Sequence, residues 1–274
     1  MDLPRREFLK TSVAAGLVGA FAPALTAAAA PGAAPADERE YYDLRSYRLR
    51  ADGSRALLDR YLEATLIPGL RARGVGPIGV FEEVSAEPAS SHEPTLWVLI
   101  PHRNLASYVA VVRDFNADPA VQASAGPYFA DTRKAATAAY TRIDSALFIA
   151  FAGQPKLRLP AARASATRVF ELRTYTSVNE ERALEKVAMF NDGEIEVMHD
   201  VGLSPVFYGQ ALAGPSLPQL TYMTSGPDME THLQHWKAFG DHPVWVKLKN
   251  DKRYADTVAK ITKWFLKPAA YSEV

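Results

Sequence analysis

Polar and apolar positions along this chain fall into short runs that occur twice, in the same order. Val169 to Tyr175 has β-type composition and alternates, the mark of a half-buried strand. Glu180 to Val201 then carries Leu184, Val187, Ala188, Ile195 and Met198 at helical spacing, and Gly202 is the expected stop. Val206 to Leu212 and Leu220 to Thr224 predict strands around a Gly-Pro-Ser-Leu-Pro turn. Met229, Leu233, Trp236 and Phe239 mark a second helix. Pro243 opens a further helix with His242 near its cap, and Ile261 to Tyr271 predicts a closing strand. The order is β-α-β-β-α-β, the ferredoxin-like unit. The first half repeats it, with a helix over Leu57, Leu58, Tyr61, Leu62 and Leu66, and Asp118-Pro119 as a cap pair.

Individual residues carry the repeat as well as the pattern. Asp43-Leu44-Arg45-Ser46-Tyr47 returns 128 residues later as Glu171-Leu172-Arg173-Thr174-Tyr175, and Gly74 and Pro77 return as Gly202 and Pro205. Further on the spacing is 124, pairing Leu96 with Leu220, Phe115 with Phe239 and Pro119 with Pro243. A four-stranded sheet with helices on one face leaves its other face bare, and the second copy can cover it. The expected fold is therefore α+β: tandem ferredoxin-like βαββαβ repeats packed sheet to sheet as an intrachain α/β barrel. The repeats are expected at residues 41–152 and 168–274. Residues 153–167, with Pro155 and Pro160, read as a surface linker.

Ahead of the repeats stands Pro4-Arg5-Arg6-Glu7-Phe8-Leu9-Lys10, then an Ala- and Gly-rich apolar run to about Ala30. This resembles a twin-arginine export signal over residues 1–30, and residues 31–40 read as a flexible leader. A periplasmic or secreted protein is expected, with no stable membrane span after cleavage. Lys+Arg and Asp+Glu are both 31, so there is no electrostatic footprint for nucleic acid. The chain has no cysteine, which excludes disulfides, thiolate metal sites and a cysteine nucleophile.

The Asp/Glu-Leu-Arg-x-Tyr strand, the Gly-x-x-Pro entry to the second strand and the Phe-x-x-x-Pro segment together resemble the NIPSNAP family. The resemblance covers residues 40–150 and 168–271. It implies the dimeric α/β barrel fold, a group that includes cofactor-independent monooxygenases, haem-degrading enzymes and cyclases. It implies no agreed catalytic motif.

On a strand, Asp43, Arg45 and Tyr47 share one side, and Glu171, Arg173 and Tyr175 repeat the set. Each row offers an acid, a guanidinium that can clamp an anion, and a phenol that can move a proton. The plainer reading is an ion-paired layer between the two sheets. His232 falls at the centre of the second repeat's helix face where the first has Tyr108, and Tyr208 stands where the first has Val80. These differences point to the second repeat, with His232 as base or anchor, Tyr208 and Tyr175 as hydroxyls, and Arg173 holding an anion. Glu171, Arg45, Tyr47, Tyr108 and Trp236 complete the expected ligand-binding set. Trp236, Trp245 and Trp264 suit an aromatic wall. Glu196-x-x-His199 does not face the core, and His232-x-x-His235 lacks a third ligand, so neither a metal nor another cofactor is expected. G-x-S-x-G, P-loop, G-x-G-x-x-G and H-E-x-x-H motifs are absent.

The functional expectation is a small organic ligand in a barrel cavity, with metal-free proton transfer or oxygenation as its chemistry. A non-catalytic binding or assembly module of the cell envelope is the alternative, and periplasmic haem handling is a weaker one. A homo-oligomer is left open.

Overall fold

The computed structural model describes residues 38–51, 53–89 and 94–274. The expected signal at residues 1–30, and the leader before residue 38, lie outside the described residues. Among the described residues, no helix is long and apolar enough to cross a membrane.

Eight antiparallel strands form the frame: β1 (Tyr41–Leu49), β2 (Gly79–Glu87), β3 (Thr95–His102), β4 (Tyr140–Ala150), β5 (Val169–Thr176), β6 (Phe207–Ala213), β7 (Gln219–Gly226) and β8 (Lys260–Pro268). They close in the order β1-β3-β2-β8-β5-β7-β6-β4. Each repeat contributes four neighbours, β4-β1-β3-β2 and β8-β5-β7-β6. The repeats do more than cover each other's faces. Their edges also pair, β2 with β8 and β4 with β6, each pair carrying a bulge. Closure leaves no exposed strand edge, and the bulges provide the extra bend it requires.

Helices lie outside the barrel. The first repeat has α1 (residues 55–71), α2 (Leu105–Asp114), α3 (Pro119–Ser124) and α4 (Gly126–Asp131). The second has α5 (residues 180–200), α6 (Met229–Asp241) and α7 (Pro243–Lys249). The caps are the expected ones. Asp118 accepts the Ala120 and Val121 amides at the start of α3, and the His242 side chain accepts the Val244 amide at the start of α7. Gly74 (φ 69°) and Gly202 (φ 83°) end α1 and α5, with the next amide bonded five residues back, Val75 to Leu70 and Leu203 to Met198. That left-handed stop is a conformation glycine takes without strain. Both long first helices are interrupted at the equivalent place, α1 by a π-helical turn at Leu62–Leu66 and α5 by a kink at Gly193 (φ 143°) within Phe190–Glu194.

Three apolar cores follow. One lies under the helices of each repeat. The third fills the barrel between the sheets, with Tyr42, Phe81, Phe170, Phe207, Leu266 and Val274 packed together at one end. Alternation along β1 decides which side chains go where. Tyr42 and Leu44 point into the barrel, while Tyr47 points out under the helices. The Asp43/Arg45 and Glu171/Arg173 pairs therefore lie between sheet and helices, not between the two sheets. The surface connection at 153–167 is anchored at its start. Gln154 is buried and donates to the Val206 carbonyl, and Glu40 accepts the Leu157 amide.

Candidate functional site

In the second repeat, β5 presents Glu171 and Arg173 beneath α6, which supplies His232 and Trp236 one turn apart. Glu171 is the hub. Its Oε1 accepts Arg173 Nε at 2.7 Å, and its Oε2 accepts His232 Nε2 at 2.7 Å and Trp236 Nε1 at 2.5 Å. Burial alone would raise this carboxyl. The His232 hydrogen bond and the Arg173 charge outweigh it and hold the group below the usual carboxylate range. The Arg173 guanidinium stacks 3.5 Å from the Trp236 ring centre, so the indole roofs the cluster. His232 reaches the sheet because the strand residue opposite is Gly226, where a Cβ would lie 2.8 Å from the His232 Cβ. His232 and Glu171 are both fully buried.

The expected phenols hydrogen-bond elsewhere, although Tyr175 lies close enough to Arg173 to raise its pKa against the lowering effect of burial. Tyr175 shares a hydroxyl hydrogen bond with Tyr222 at 2.8 Å, and Tyr208 donates to Met198 Sδ at 3.1 Å. Beside them Lys186 and Glu194 form a buried ion pair at 2.8 Å, with the Lys186 ammonium over the Phe190 and Trp245 rings. Their counterparts in the first repeat are Leu58 and Leu66, both buried. Burial raises the Glu194 carboxyl despite Lys186. Of the expected aromatic wall, Trp236 and Trp245 lie among the helices, flanking Phe239 at 5.3 and 4.6 Å, while Trp264 packs against the barrel core. His235 lies against Gly202, and His199 meets Arg158 at 3.2 Å. Among the described residues, no group of three His, Asp or Glu side chains could hold a metal.

The first repeat builds the same acid–guanidinium pair without the roof. Arg45 Nε donates to Asp43 at 2.8 Å, and the Ser145 hydroxyl donates to the other Asp43 oxygen at 2.7 Å. Tyr47 is buried edge-on against Tyr140 at 5.3 Å. Where the second repeat has Trp236, this one has Val112. A cavity of about 320 Å³ opens there, lined by Asp43, Arg45, Tyr108, Val112, Phe115 and Asn116 among others.

Sequence reasoning missed His102. It ends β3 at the position of Gly226 and packs edge-on against Tyr108, with ring centroids 5.5 Å apart. The imidazole thus comes from the strand in one repeat and from the helix in the other. Its Nδ1 meets the Ser107 hydroxyl at 3.3 Å, and its buried Nε2 has no partner. Burial pushes its pKa down to about 4, with Asp43 opposing and Arg45 assisting, so the ring is neutral near pH 7. The available signal was the exchange of His102 for Gly226 in the repeat alignment, next to the exchange of Tyr108 for His232.

Comparison with known proteins supports this architecture. The NIPSNAP family model matches residues 170–273. A "putative monooxygenase" from Fusobacterium nucleatum subsp. nucleatum has the same fold at TM-score 0.54 and 10% identity, over 84% of this chain and 92% of that one. A "putative monooxygenase" from Lactobacillus acidophilus matches at TM-score 0.53 and 10% identity, over 84% and 94%. A NIPSNAP-like domain protein from Burkholderia xenovorans matches 39% of this chain and 90% of its own at 17% identity, with TM-score 0.35. No curated protein matches the chain in sequence. The second repeat thus matches the NIPSNAP family model, and it is set in a closed eight-stranded α/β barrel whose other half repeats its topology.

Proposed function

We propose that this protein binds a small organic molecule in the helix–sheet cleft of its first repeat. The observation that carries this reading is the exchange of Trp236 for Val112. The second repeat fills its cleft with an indole stacked on Arg173, whereas the first leaves about 320 Å³ beside Asp43 and Arg45. That volume is at the lower end for ligand pockets and suits a compound of one or two rings. Arg45 can hold an anionic oxygen, Tyr108 can hydrogen-bond to it, and Phe115 and Val112 give apolar walls. Neutral His102 packs edge-on against Tyr108 and orients that ring at the cleft. The finer reading is metal-free proton transfer or oxygenation of a phenol-like substrate. The arginine pair and apolar run at residues 5–30 support export of the protein from the cytoplasm.

The test uses para-nitrophenol, which is coloured as its anion. A saturable spectral shift is expected with the wild-type protein and its loss with Val112→Trp, which installs the second repeat's roof. No shift in the wild type, or an equal shift in the variant, overturns the reading. Oxygen uptake with a hydroquinone tests the oxygenation step. One observation favours the assembly alternative: Leu105, Val109 and Val112 form an exposed apolar stripe on α2. A fall in sedimenting mass on Val109→Lys would support it.

A further inference from the structure

The barrel itself opens at one end into a cavity of about 680 Å³, separate in its deeper walls from the cleft of the first repeat. Phe148, Trp97 and Trp264 give it aromatic walls, with the two indoles 5.0 Å apart and tilted by 60°. Hydroxyls also line it: Ser46, cross-strand from Trp97, and Thr262, Thr174 and Thr221, the last two bonded to each other at 2.8 Å. At the rim stand Arg48, Arg142 and Lys260 around a single carboxylate, Asp144. Arg142 meets Asp144 at 2.5 Å and Arg48 meets it at 3.6 Å, so the lining has one acid against three cations and the rim is net positive.

We infer that the barrel mouth is a second binding site, for an amphipathic aromatic acid. Its ring system lies against Trp97 and Trp264, its polar substituents meet the wall hydroxyls, and its anionic group sits among the rim cations. The volume takes two or three fused or linked rings. The site does not depend on the first-repeat cleft: the two share Ser145 alone among their lining residues, and of the two the mouth combines paired indoles with a cationic rim.

The probes are anilinonaphthalene sulfonate, an aromatic anion, and its uncharged relative phenylnaphthylamine, both read by fluorescence. Saturable binding of the sulfonate to the full protein is expected, abolished by Ser46→Trp, which fills the mouth opposite Trp97. Arg142→Glu, at an exposed rim position, should weaken the sulfonate by about tenfold and the neutral probe far less. Val112→Trp, which closes the other cleft, should leave both unchanged. Absence of sulfonate binding overturns the proposal. So does unchanged sulfonate affinity in Arg142→Glu, or loss of binding in Val112→Trp. If Ser46→Trp fails to fold, the Arg142→Glu comparison decides.

Discussion

The Arg173 guanidinium stacks 3.5 Å from the centre of the Trp236 ring, and this contact separates a filled cleft from an open one. The same strand motif lies under both repeats. What differs is the helix residue above it.

Trp236→Val should therefore open in the second repeat the space that the first already has. The substitution removes the indole, its hydrogen bond to Glu171 and its stack on Arg173, and should cost about 2–4 kcal/mol. Urea unfolding measures the loss. Nitrophenol binding should rise from one equivalent to two, because the Arg173–Glu171 pair becomes accessible as Arg45–Asp43 is.

The Lys186–Glu194 pair has an internal control in Leu58 and Leu66. Lys186→Leu alone strands a buried carboxyl and should destabilise by about 3–5 kcal/mol. Lys186→Leu with Glu194→Leu restores the first repeat's solution and should bring stability back to within about 1 kcal/mol of wild type, or above it. A double-mutant cycle in urea checks both. A double variant as unstable as the single one would show that this layer cannot close over leucines.

His102 predicts a dependence on pH. Its folded pKa of about 4 lies below the ordinary 6.5, so between these values the unfolded chain binds a proton that the folded chain does not. Stability then falls as pH drops through that window, by about 2 kcal/mol between pH 7 and pH 5. His102→Gln should remove this component, seen by comparing the two proteins' unfolding free energies at both pH values. An identical slope in the variant would refute it.

Gly226→Ala should crowd His232, since the added Cβ lies 2.8 Å from the His232 Cβ. A cost of about 1–3 kcal/mol is expected, with loosening of the His232–Glu171 bond. Thermal unfolding gives the first quantity, and the His232 ring proton resonances report the second.

Much of this fold is legible in the residue pattern because the features that build it are local. Strand alternation, the Asp118 and His242 caps and the Gly74 and Gly202 stops all occur twice or lie at helix ends, where one residue decides the backbone. Closure by β2–β8 and β4–β6 is not legible, since it depends on edges far apart in sequence. Glu171, Arg173, His232 and Trp236 were each expected near a ligand and do meet, whereas Tyr175 and Tyr208, expected beside His232, bond elsewhere. That Trp236 fills the space, rather than lining it, depends on how the indole turns over Arg173, which spacing does not encode. The barrel mouth escaped notice for another reason. Its walls are contributed by single residues, such as Ser46, Trp97, Thr221 and Trp264, from separate strands.

The interruptions in the two long helices also bear on the history of the gene. Leu62–Leu66 and Phe190–Glu194 sit at the same point of each copy, one a π-helical turn and the other a kink at Gly193, so the copies share the place of the break and differ in its form. The leucine pair or ion pair beside it, and the valine or tryptophan across the cleft, diverged too. This chain therefore keeps, in one molecule, an inherited scaffold and two separate histories of what was placed inside it.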